Sequence, residues 1–187
     1  IDAQSESEVE EELGMLLDEL RYMIEQIDMA KVFTKFGGLT CILCLLRSPR
    51  CSQGNREMAG SIIAALAQNN IQVQDLMWES KTLESLCSIF FEALQAKESS
   101  SLLAKIIFAL SAVVRGHAAA EATLVCGSLV SIIASVLQSS DLLLLRRGIL
   151  LCKVLTMSDT TDATRTHLIA SLVLPHCLAY ITLADVD

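Results

Sequence analysis

An internal repeat with a period of about 45 residues constrains the fold of this chain more than any other feature. In the segment "AKIIFALSAVV", the small residue Ala104 is followed at i+3 and i+6 by Ile107 and Leu110. The same order recurs three more times. The four small residues, separated by 46, 44 and 44 positions, are Gly14, Gly60, Ala104 and Gly148. Such spacing is typical of repeat proteins, in which no unit can bury its apolar face alone and neighbours stack.

A second register repeats with the same spacing. Four apolar anchors 44, 46 and 44 positions apart are Leu39, Leu83, Leu129 and Val173. The apolar residues around them recur at i, i+3, i+4 and i+7, which indicates buried helix faces. Polar breaks separate the units at "RSPRCSQGN", "QAKESSS" and "QSSD". Each unit is therefore predicted to hold a long helix, a short helical segment and a second long helix.

The predicted fold is all-α, an armadillo-like right-handed superhelical solenoid of about four three-helix repeats, since three helices in about 45 residues is the armadillo size. Residues 1–12 are expected to form an acidic, solvated lead-in, and residues 13–187 the repeat domain. The predicted units cover 13–49, 55–95, 101–140 and 142–182. Asp159 and Thr161 are candidate N-caps of a helix over 165–171.

Composition agrees with packed helices and argues against two classes of partner. Hydrophobic residues make up 52% of the chain but aromatic residues only 4%, and there are two prolines. Mean hydropathy is +0.50, yet no segment has the roughly 18 uninterrupted apolar residues of a membrane-spanning helix. The net charge of −8 argues against binding to a phosphate backbone. We therefore expect neither a membrane nor a nucleic acid as partner.

Cysteine usage favours a reducing compartment. Five of the seven cysteines lie within apolar helical patterns: Cys41, Cys44, Cys87, Cys152 and Cys177. We expect buried free thiols there and no disulfide framework. The first residues also lack the basic and then apolar order of a signal peptide. A cytoplasmic location is the resulting expectation.

One face of the helix over 104–115 is a candidate binding surface. At about 100° per residue, Lys105, Phe108, Ala112 and Arg115 lie opposite the apolar residues. An aromatic residue and two cations away from the core suggest a partner. A solvated face with one stray aromatic is the alternative, and Arg115 is equally explained as a cation near the terminal carbonyls of its helix.

The repeat spacing extends this face into a ladder. The positions equivalent to Ala112 are Tyr22, Gln68 and Thr156. Acidic residues join the ladder in the first unit and basic residues in the last, namely Asp18, Glu19 and Glu25, then Lys153 and with it Arg146. We expect a concave groove that runs from acidic to basic and suits one oriented protein partner.

The amide cluster at 68–70 admits two interpretations. Gln68 lies on the ladder and is the better contact candidate, whereas Asn69 and Asn70 close the same helix. Asparagine tolerates the left-handed conformation at a helix C-terminus, so one of the two is explained as a stop signal. Trp78, in a short connecting helix, is expected to pack between units.

Catalytic and metal-binding motifs are weak in this sequence. Cys41 and Cys44 form a C-x-x-C, but a zinc site needs two further ligands nearby. The three histidines, His117, His167 and His176, fall in different units. No glycine-rich phosphate loop is present. We expect no enzymatic activity, no cofactor and no metal. A thiol- or metal-dependent enzyme is the least favoured alternative.

Three segments together resemble one family. "LRYMIEQIDMAKVFTKFGGL" is similar to the opening segment of the armadillo-type nucleotide exchange factors of heat-shock protein 70 chaperones. "AQNNIQVQ" resembles their Q-N-N-x-x-x-Q segment, and "AKIIFALSAVVRG" resembles their K-A-L-F-A-[LI]-S-x-L-[VI]-R helix. The resemblance covers residues 13 to about 182. Ile106 departs from the family's usual alanine, and "LLLLRRGILLCKVL" matches the fourth-repeat helix loosely.

The resemblance implies a function and a set of contact residues. The concave face would grip one lobe of the chaperone's ATPase domain in an opened arrangement, so that ADP is released. Arg115 would be the charged anchor, flanked by Lys105 and Phe108. The other implied contacts are Gln68, Asn69, Asn70 and Lys153. A monomer is expected, in the cytoplasm or, as the family's other branch, in the lumen of the endoplasmic reticulum. The alternative is a general armadillo or HEAT scaffold for another protein.

Overall fold

The computed structural model describes residues 3–157, together with residues 170, 171 and 175. Within 3–157 the fold is all-α. The ten helices of that range are α1 (Ala3–Met23), α2 (Ile27–Lys35), α3 (Gly38–Arg47), α4 (Gln53–Ala67), α5 (Ile71–Glu79), α6 (Thr82–Gln95), α7 (Ser100–Val114), α8 (Ala118–Cys126), α9 (Leu129–Leu137) and α10 (Leu142–Thr156). The predicted class is confirmed. A short helix of nine residues follows each of α1, α4 and α7, as predicted. The predicted second long helix is found only in α6, with 14 residues, whereas α3 has 10 and α9 has 9.

Side-chain caps explain where four of these helices begin. In each, the side-chain oxygen of the residue before the helix accepts a hydrogen bond from the backbone N–H three residues later. The capping residues are Ser52, Asn70, Ser99 and Asp141, with N···O distances of 2.9 to 3.3 Å. Each bond satisfies a backbone donor that the first helical turn leaves free. Three of the four lie in the polar breaks of the sequence.

The long helices α1, α4, α7 and α10 contact one another in that order. Beside them, α3 packs on α4, α6 on α7 and α9 on α10, while the short helix α2 packs on α5. The packing of a long helix on the helix before it thus occurs three times along the chain. The apolar core is continuous through these contacts and contains the fully buried Leu46, Ile63, Phe90 and Ile107.

The small residues of the sequence repeat lie where helices approach closely. A Cβ on Gly60 of α4 would lie 3.2 Å from Lys105 Cβ of α7, and one on Gly148 of α10 would lie 2.7 Å from Val136 Cγ1 of α9. A Cβ on Gly14 of α1 would lie 3.1 Å from Asn55 Oδ1 of α4. The repeated small residue therefore sets the spacing between packed helices.

A buried arginine joins three segments next to this core. Arg56 of α4 has a 7% exposed side chain and donates from Nε to the carbonyl oxygen of Leu46 at 3.1 Å. Its Nη1 lies 2.7 Å from Glu98 Oε1, in the connection between α6 and α7. The guanidinium thereby satisfies a carbonyl at the end of α3 and neutralises its own charge.

The predicted acidic lead-in over 1–12 overlaps helix α1, and of its described acidic side chains only that of Glu10 is partly buried. Helix α1 begins at Ala3, and Glu10 makes contacts with the start of α4. The Glu10 carboxylate accepts hydrogen bonds from the Ser52 backbone N–H at 3.0 Å and from Asn55 Nδ2 at 2.7 Å. The hydrogen bonds from Ser52, and then that from Asn55, lower the pKa of Glu10 because they stabilise the charged form. Acidic composition alone did not reveal this tertiary contact.

The expectation of buried thiols is wrong for two of the five cysteines named for it. Cys41 and Cys44 are exposed, on the side of α3 opposite the buried Leu39 and Ile42. Cys87 and Cys152 are buried as expected. Of the two cysteines outside that set, Cys51 is buried and Cys126 is exposed. Burial raises the pKa of the Cys51 and Cys87 thiols, because it disfavours the thiolate.

Alkylation of the native protein by iodoacetamide at neutral pH should therefore divide the described cysteines. Cys41, Cys44 and Cys126 should react at least about tenfold faster than Cys51 and Cys87, because the thiolate is the nucleophile and burial suppresses it. Peptide mapping by mass spectrometry measures each site separately. In urea, where the fold is lost, the five sites should react at similar rates. Equal rates in the native protein as well would contradict the burial of Cys51 and Cys87.

Several sequence-based expectations lie outside the described residues. They are the caps at Asp159 and Thr161, the residues His167, Val173, His176 and Cys177, and most of the last predicted unit. Across the part that is described, no helix is by itself long and apolar enough to cross a membrane. Two neighbouring pairs, α2 with α3 and α8 with α9, meet that test only jointly, across bends of 79° and 65°.

Candidate functional site

A cavity of about 480 Å³ lies between the C-terminal half of α7, the start of α8 and α10. Three cations and several apolar side chains surround it. Its lining residues are Phe108, Ser111, Arg115, Gly116, Glu121, Arg147, Leu150, Lys153, Val154 and Met157. Three residues that the sequence predicted as partner contacts, Phe108, Arg115 and Lys153, are thus brought together. The cavity combines positive charge with apolar surface in a chain of net charge −8.

An arginine stacked on an aromatic ring forms one wall. The Arg147 Cζ lies 4.5 Å from the centroid of the Phe108 ring, which joins α10 to α7. The guanidinium is attracted to the negative face of the ring while its N–H groups stay free to bind an anion. This pair gives the cavity a flat cationic surface, suited to a carboxylate beside an apolar group.

Arg115 follows the last residue of α7 and is exposed. Its position depends on Gln74 of α5, which is buried and donates from Nε2 to the carbonyl oxygens of Ala112 and Arg115, both at 2.9 Å. These carbonyls have no partner within the helix, so the glutamine acts as a side-chain cap of the helix C-terminus. Gly116 then takes a positive φ of 74° and turns the chain toward α8.

The turn after Arg115 is braced by two further side chains. Glu121, fully buried in α8, accepts a hydrogen bond at Oε1 from the Gly116 backbone N–H at 3.0 Å. His117 Nδ1 accepts from the Ala120 N–H at 3.1 Å, while its Nε2 lies 3.3 Å from Asp75 Oδ1. Trp78 packs against the His117 ring at a centroid distance of 5.7 Å, consistent with its expected position between successive helix groups.

Lys105 lies on the same side of α7 as Phe108 but does not line the cavity. Its Nζ donates to Ser61 Oγ of α4 at 3.1 Å, and Ser101, one turn earlier, donates to Glu57 Oε1 at 2.6 Å. These bonds cross from α7 to α4, as the Phe108–Arg147 contact crosses from α7 to α10. We call this surface of α4, α7 and α10, with Glu57, Ser61, Lys105, Phe108 and Arg147, the cross-helix face.

The amide cluster divides among three roles. Gln68 and Asn69 are exposed, and Asn69 adopts the left-handed conformation with φ of 56° at the end of α4. Asn69 is therefore the predicted stop signal. Asn70 is buried, caps α5 and donates from Nδ2 to the Ile27 carbonyl oxygen at 3.3 Å. Because its amide is used inside the fold, Asn70 is not part of an accessible binding surface.

Two other members of the predicted groove need correction. Ala112 was placed on the exposed ladder but is buried, because the Gln74 side chain approaches its carbonyl. Arg146 is exposed but does not line the cavity, whereas its neighbour Arg147 does. Tyr22, at the other end of the ladder, is exposed as expected.

The cavity wall from α10 was largely missed by the sequence analysis. Leu150, Val154 and Met157 follow Arg147 at spacings of three, seven and ten residues, which is a helical stripe. That stripe was the available signal. The sequence did not show which residue of α7 faces this stripe, because the pairing of Phe108 with Arg147 depends on how α7 and α10 are aligned.

The described residues offer no obvious metal centre. Among them, no group of three or more His, Cys, Asp or Glu side chains converges as metal ligands would. Cys41 and Cys44 form only a two-thiol pair on the outside of α3. The cavity between α7, α8 and α10 is suited to binding a ligand through charge and shape.

Comparisons with known proteins add no assignment. No protein-family model, no curated protein and no solved structure matches the chain.

Replacing Gln74 with alanine should destabilise the fold and loosen the position of Arg115. Two carbonyls at the end of α7 would lose their donor, which costs about 1 to 3 kcal/mol for buried groups. Urea denaturation followed by circular dichroism measures the change. Gln72→Ala, at an exposed position of the same helix, is the matched control and should change stability by less than about 0.5 kcal/mol. Equal stability of the two variants would contradict the capping role.

Proposed function

We propose that the chain is a protein-binding module built as an armadillo-like right-handed solenoid of three-helix repeats. The contacts of α1, α4, α7 and α10 in sequence order support this arrangement, as do the small residues at their close approaches. On this proposal α1–α2–α3, α4–α5–α6 and α7–α8–α9 are the equivalent triplets of the first three predicted units, and α10 begins the fourth. The long helices then carry one continuous surface, as the concave side of a helical-repeat protein does.

We further propose that the partner is the ATPase domain of a heat-shock protein 70 chaperone, bound so as to promote ADP release. The single observation that carries this proposal is the cationic and apolar cavity formed by Phe108, Arg115 and Lys153. Phe108 and Arg115 belong to a segment that resembles the exchange-factor family, and Lys153 to the helix that matches it loosely. On this proposal the protein is located in the cytoplasm. It acts by binding the chaperone and catalyses no reaction itself.

The cavity's chemistry suggests how one lobe would be held. An acidic side chain of the lobe would be bound by Arg115 and Lys153, while an adjacent apolar side chain would contact Leu150 and Met157. Charge complementarity orients the complex and the apolar contact supplies affinity. Lys105, Gln68 and Asn69 would add polar contacts toward α4.

Exchange would follow from a difference in affinity between two states of the chaperone. If the cross-helix face fits only an opened ATPase domain, its binding free energy favours that state over the ADP-bound closed state. By thermodynamic linkage, the factor by which this protein weakens ADP binding equals the factor by which ADP weakens binding of this protein. The fraction of ATPase domain in the opened state therefore depends on how much more tightly this protein binds the opened state than the closed state.

Titration calorimetry with an isolated ATPase domain tests the contact surface. The double variant Arg115→Ala with Lys105→Ala should bind the nucleotide-free domain about 30- to 300-fold more weakly, as expected when interfacial cations at a binding hot spot are removed. Arg21→Ala with Arg50→Ala removes two exposed cations elsewhere and is the control. It should leave the affinity within about twofold, since exposed charges contribute little.

If the double variant binds the ATPase domain as tightly as the wild-type protein does, the cavity is not the contact surface. Absence of any complex with the wild-type protein would remove the chaperone. The chain would then be better described as a helical-repeat scaffold for another protein, which is the alternative function.

A further inference from the structure

An apolar stripe on α2 lies beside the C-terminal end of α1, and most of its side chains are exposed. Met29, Val32, Phe33 and Phe36 occupy positions i, i+3, i+4 and i+7, which places them within about 100° on one side of the helix. Leu20 and Met23 of α1 extend the stripe, and together these residues border a shallow groove of about 330 Å³. We call this surface the α2 stripe.

The exposure of the α2 stripe is large for a soluble surface. Phe36 is 87% exposed, and Met23, Met29 and Val32 are between 41% and 46% exposed. The buried side of α2 is instead marked by Ala30, at 2% exposure, where the helix packs on α3, α4 and α5. A contiguous exposed apolar patch of this kind usually marks an interface.

The backbone after α2 is adapted to keep this surface in place. Gly37 has a positive φ of 85°, and a Cβ on Gly38 would collide with the ring of Phe33. The absence of a side chain at Gly38 lets that ring pack close against the start of α3. Phe33 thus forms a fixed floor of the groove beside the exposed Phe36.

Charges on the flank of the stripe are arranged for pairing with a copy of the same helix. Asp28 and Lys35 are seven residues apart and therefore lie on the same flank, one at each end of α2. Both are exposed. When two α2 helices pack antiparallel about a twofold axis, the same flanks meet in opposite directions. Asp28 of each copy then lies opposite Lys35 of the other, so the same ion pair forms twice in the dimer.

We propose that the α2 stripe is the interface of a symmetric homodimer, in which two α2 helices pack antiparallel through Met29, Val32 and Phe36. This dimer takes the place of the monomer expected from the family resemblance. It uses α1 and α2, whereas the cavity lies on α7, α8 and α10, so the dimer does not depend on the proposed function. Either proposal stands if the other fails.

The dimer should be weak. A nine-residue helix is only about 13 Å long, and an interface built around it falls at the small end of the range for specific complexes. A dissociation constant on the order of 10 to 100 µM is the expected value for such a transient interface. Sedimentation velocity of the full chain between about 5 and 500 µM spans this range.

Three variants test the geometry directly. Phe36→Glu should raise the dissociation constant at least about tenfold, because it places a charge in the apolar contact. Asp28→Lys should raise it about threefold to tenfold, since each copy would then set two like charges against each other. The double reversal Asp28→Lys with Lys35→Asp should restore dimerisation to within about twofold, because a self-complementary pair survives reversal of both charges.

A mixing experiment separates pairing between copies from effects within one helix. Asp28→Lys alone and Lys35→Asp alone should each dimerise poorly, whereas an equimolar mixture should form a heterodimer with near wild-type affinity. Glu84→Lys is the matched control, since Glu84 is also an exposed acidic residue in the first turn of its helix, α6. Circular dichroism checks that each variant stays folded.

The results that overturn the proposal are equally definite. A wild-type chain that remains monomeric at about 500 µM has no such dimer, whether or not it then binds lipid vesicles or another protein's helix. Association beyond two copies excludes a closed twofold interface. Dimerisation that survives Phe36→Glu, or a double reversal that fails to restore pairing in a folded protein, places the interface elsewhere.

Discussion

Replacing Arg56 with alanine should reduce the free energy of unfolding by about 3 to 5 kcal/mol, the range for breaking a buried ion pair from one side. The Arg56 guanidinium contacts the Leu46 carbonyl oxygen at 3.1 Å and Glu98 Oε1 at 2.7 Å. Its removal leaves that carbonyl without a donor and Glu98 without a counter-charge. Urea denaturation measures the loss, with the fluorescence of the single tryptophan, Trp78, as the probe.

A second ion pair on neighbouring helices provides the control. Arg47 Nε and Glu92 Oε2 are 3.0 Å apart, but both side chains are about half exposed, at 49% and 50%. Arg47→Ala should therefore cost less than about 1 kcal/mol, as exposed pairs do. Glu98→Gln should fall between the two, because its side chain is 26% exposed and an amide oxygen still accepts from Arg56. Equal losses for Arg56→Ala and Arg47→Ala would contradict the burial of Arg56.

Replacing Gly60 with leucine should cost about 3 kcal/mol, near the upper end for overpacking. A Cβ at this position would already lie 3.2 Å from Lys105 Cβ and 3.5 Å from the Lys105 backbone carbon and oxygen. The larger side chain must push α4 and α7 apart. It should also displace Lys105 from Ser61, so the variant should bind the chaperone domain more weakly than its stability alone would explain.

Gly54→Leu is the matched control on the same helix. Nothing lies within 4 Å of a Cβ built at Gly54. The substitution should be neutral or stabilising by up to about 1 kcal/mol, because leucine is a better helix former than glycine. If Gly60→Leu were as well tolerated as Gly54→Leu, the repeated small residue would not set the spacing between α4 and α7.

The helix pattern was predictable because the signals for it are local. Serine or aspartate caps lie in the polar breaks at Ser52, Ser99 and Asp141, and apolar residues follow each with helical spacing. The repeat of small residues pointed to the close approaches at Gly60 and Gly148. These features depend on neighbours within one helix or on one repeated contact.

The amide cluster shows why a one-residue assignment is harder. Asn69 and Asn70 both suit a helix end, and the sequence did not separate their roles. The chain between α4 and α5 is short, so Asn69 takes the left-handed conformation and Asn70 becomes the N-cap of the next helix. That division follows from the direction in which α5 leaves, which only the packed fold determines.

The candidate site was predicted in part. Phe108, Arg115 and Lys153 line one cavity, as expected from their shared helix face and repeat position. Arg147 was missed because its place over the Phe108 ring depends on the alignment of two helices distant in sequence. Gln74 was noted only as part of a motif. Its role as a cap of α7 requires the position of α5.

The measurement that tests the central claim most directly is release of a fluorescent ADP analogue from a heat-shock protein 70 ATPase domain, followed by stopped flow. The account predicts a saturable acceleration of at least about tenfold by the wild-type protein, equivalent to lowering the activation free energy of ADP release by about 1.4 kcal/mol or more. Arg115→Ala with Lys105→Ala should need far higher concentrations for the same effect. An unchanged release rate at saturating protein, with a complex present, would contradict exchange activity, and an unchanged rate with no complex would contradict the chaperone as partner.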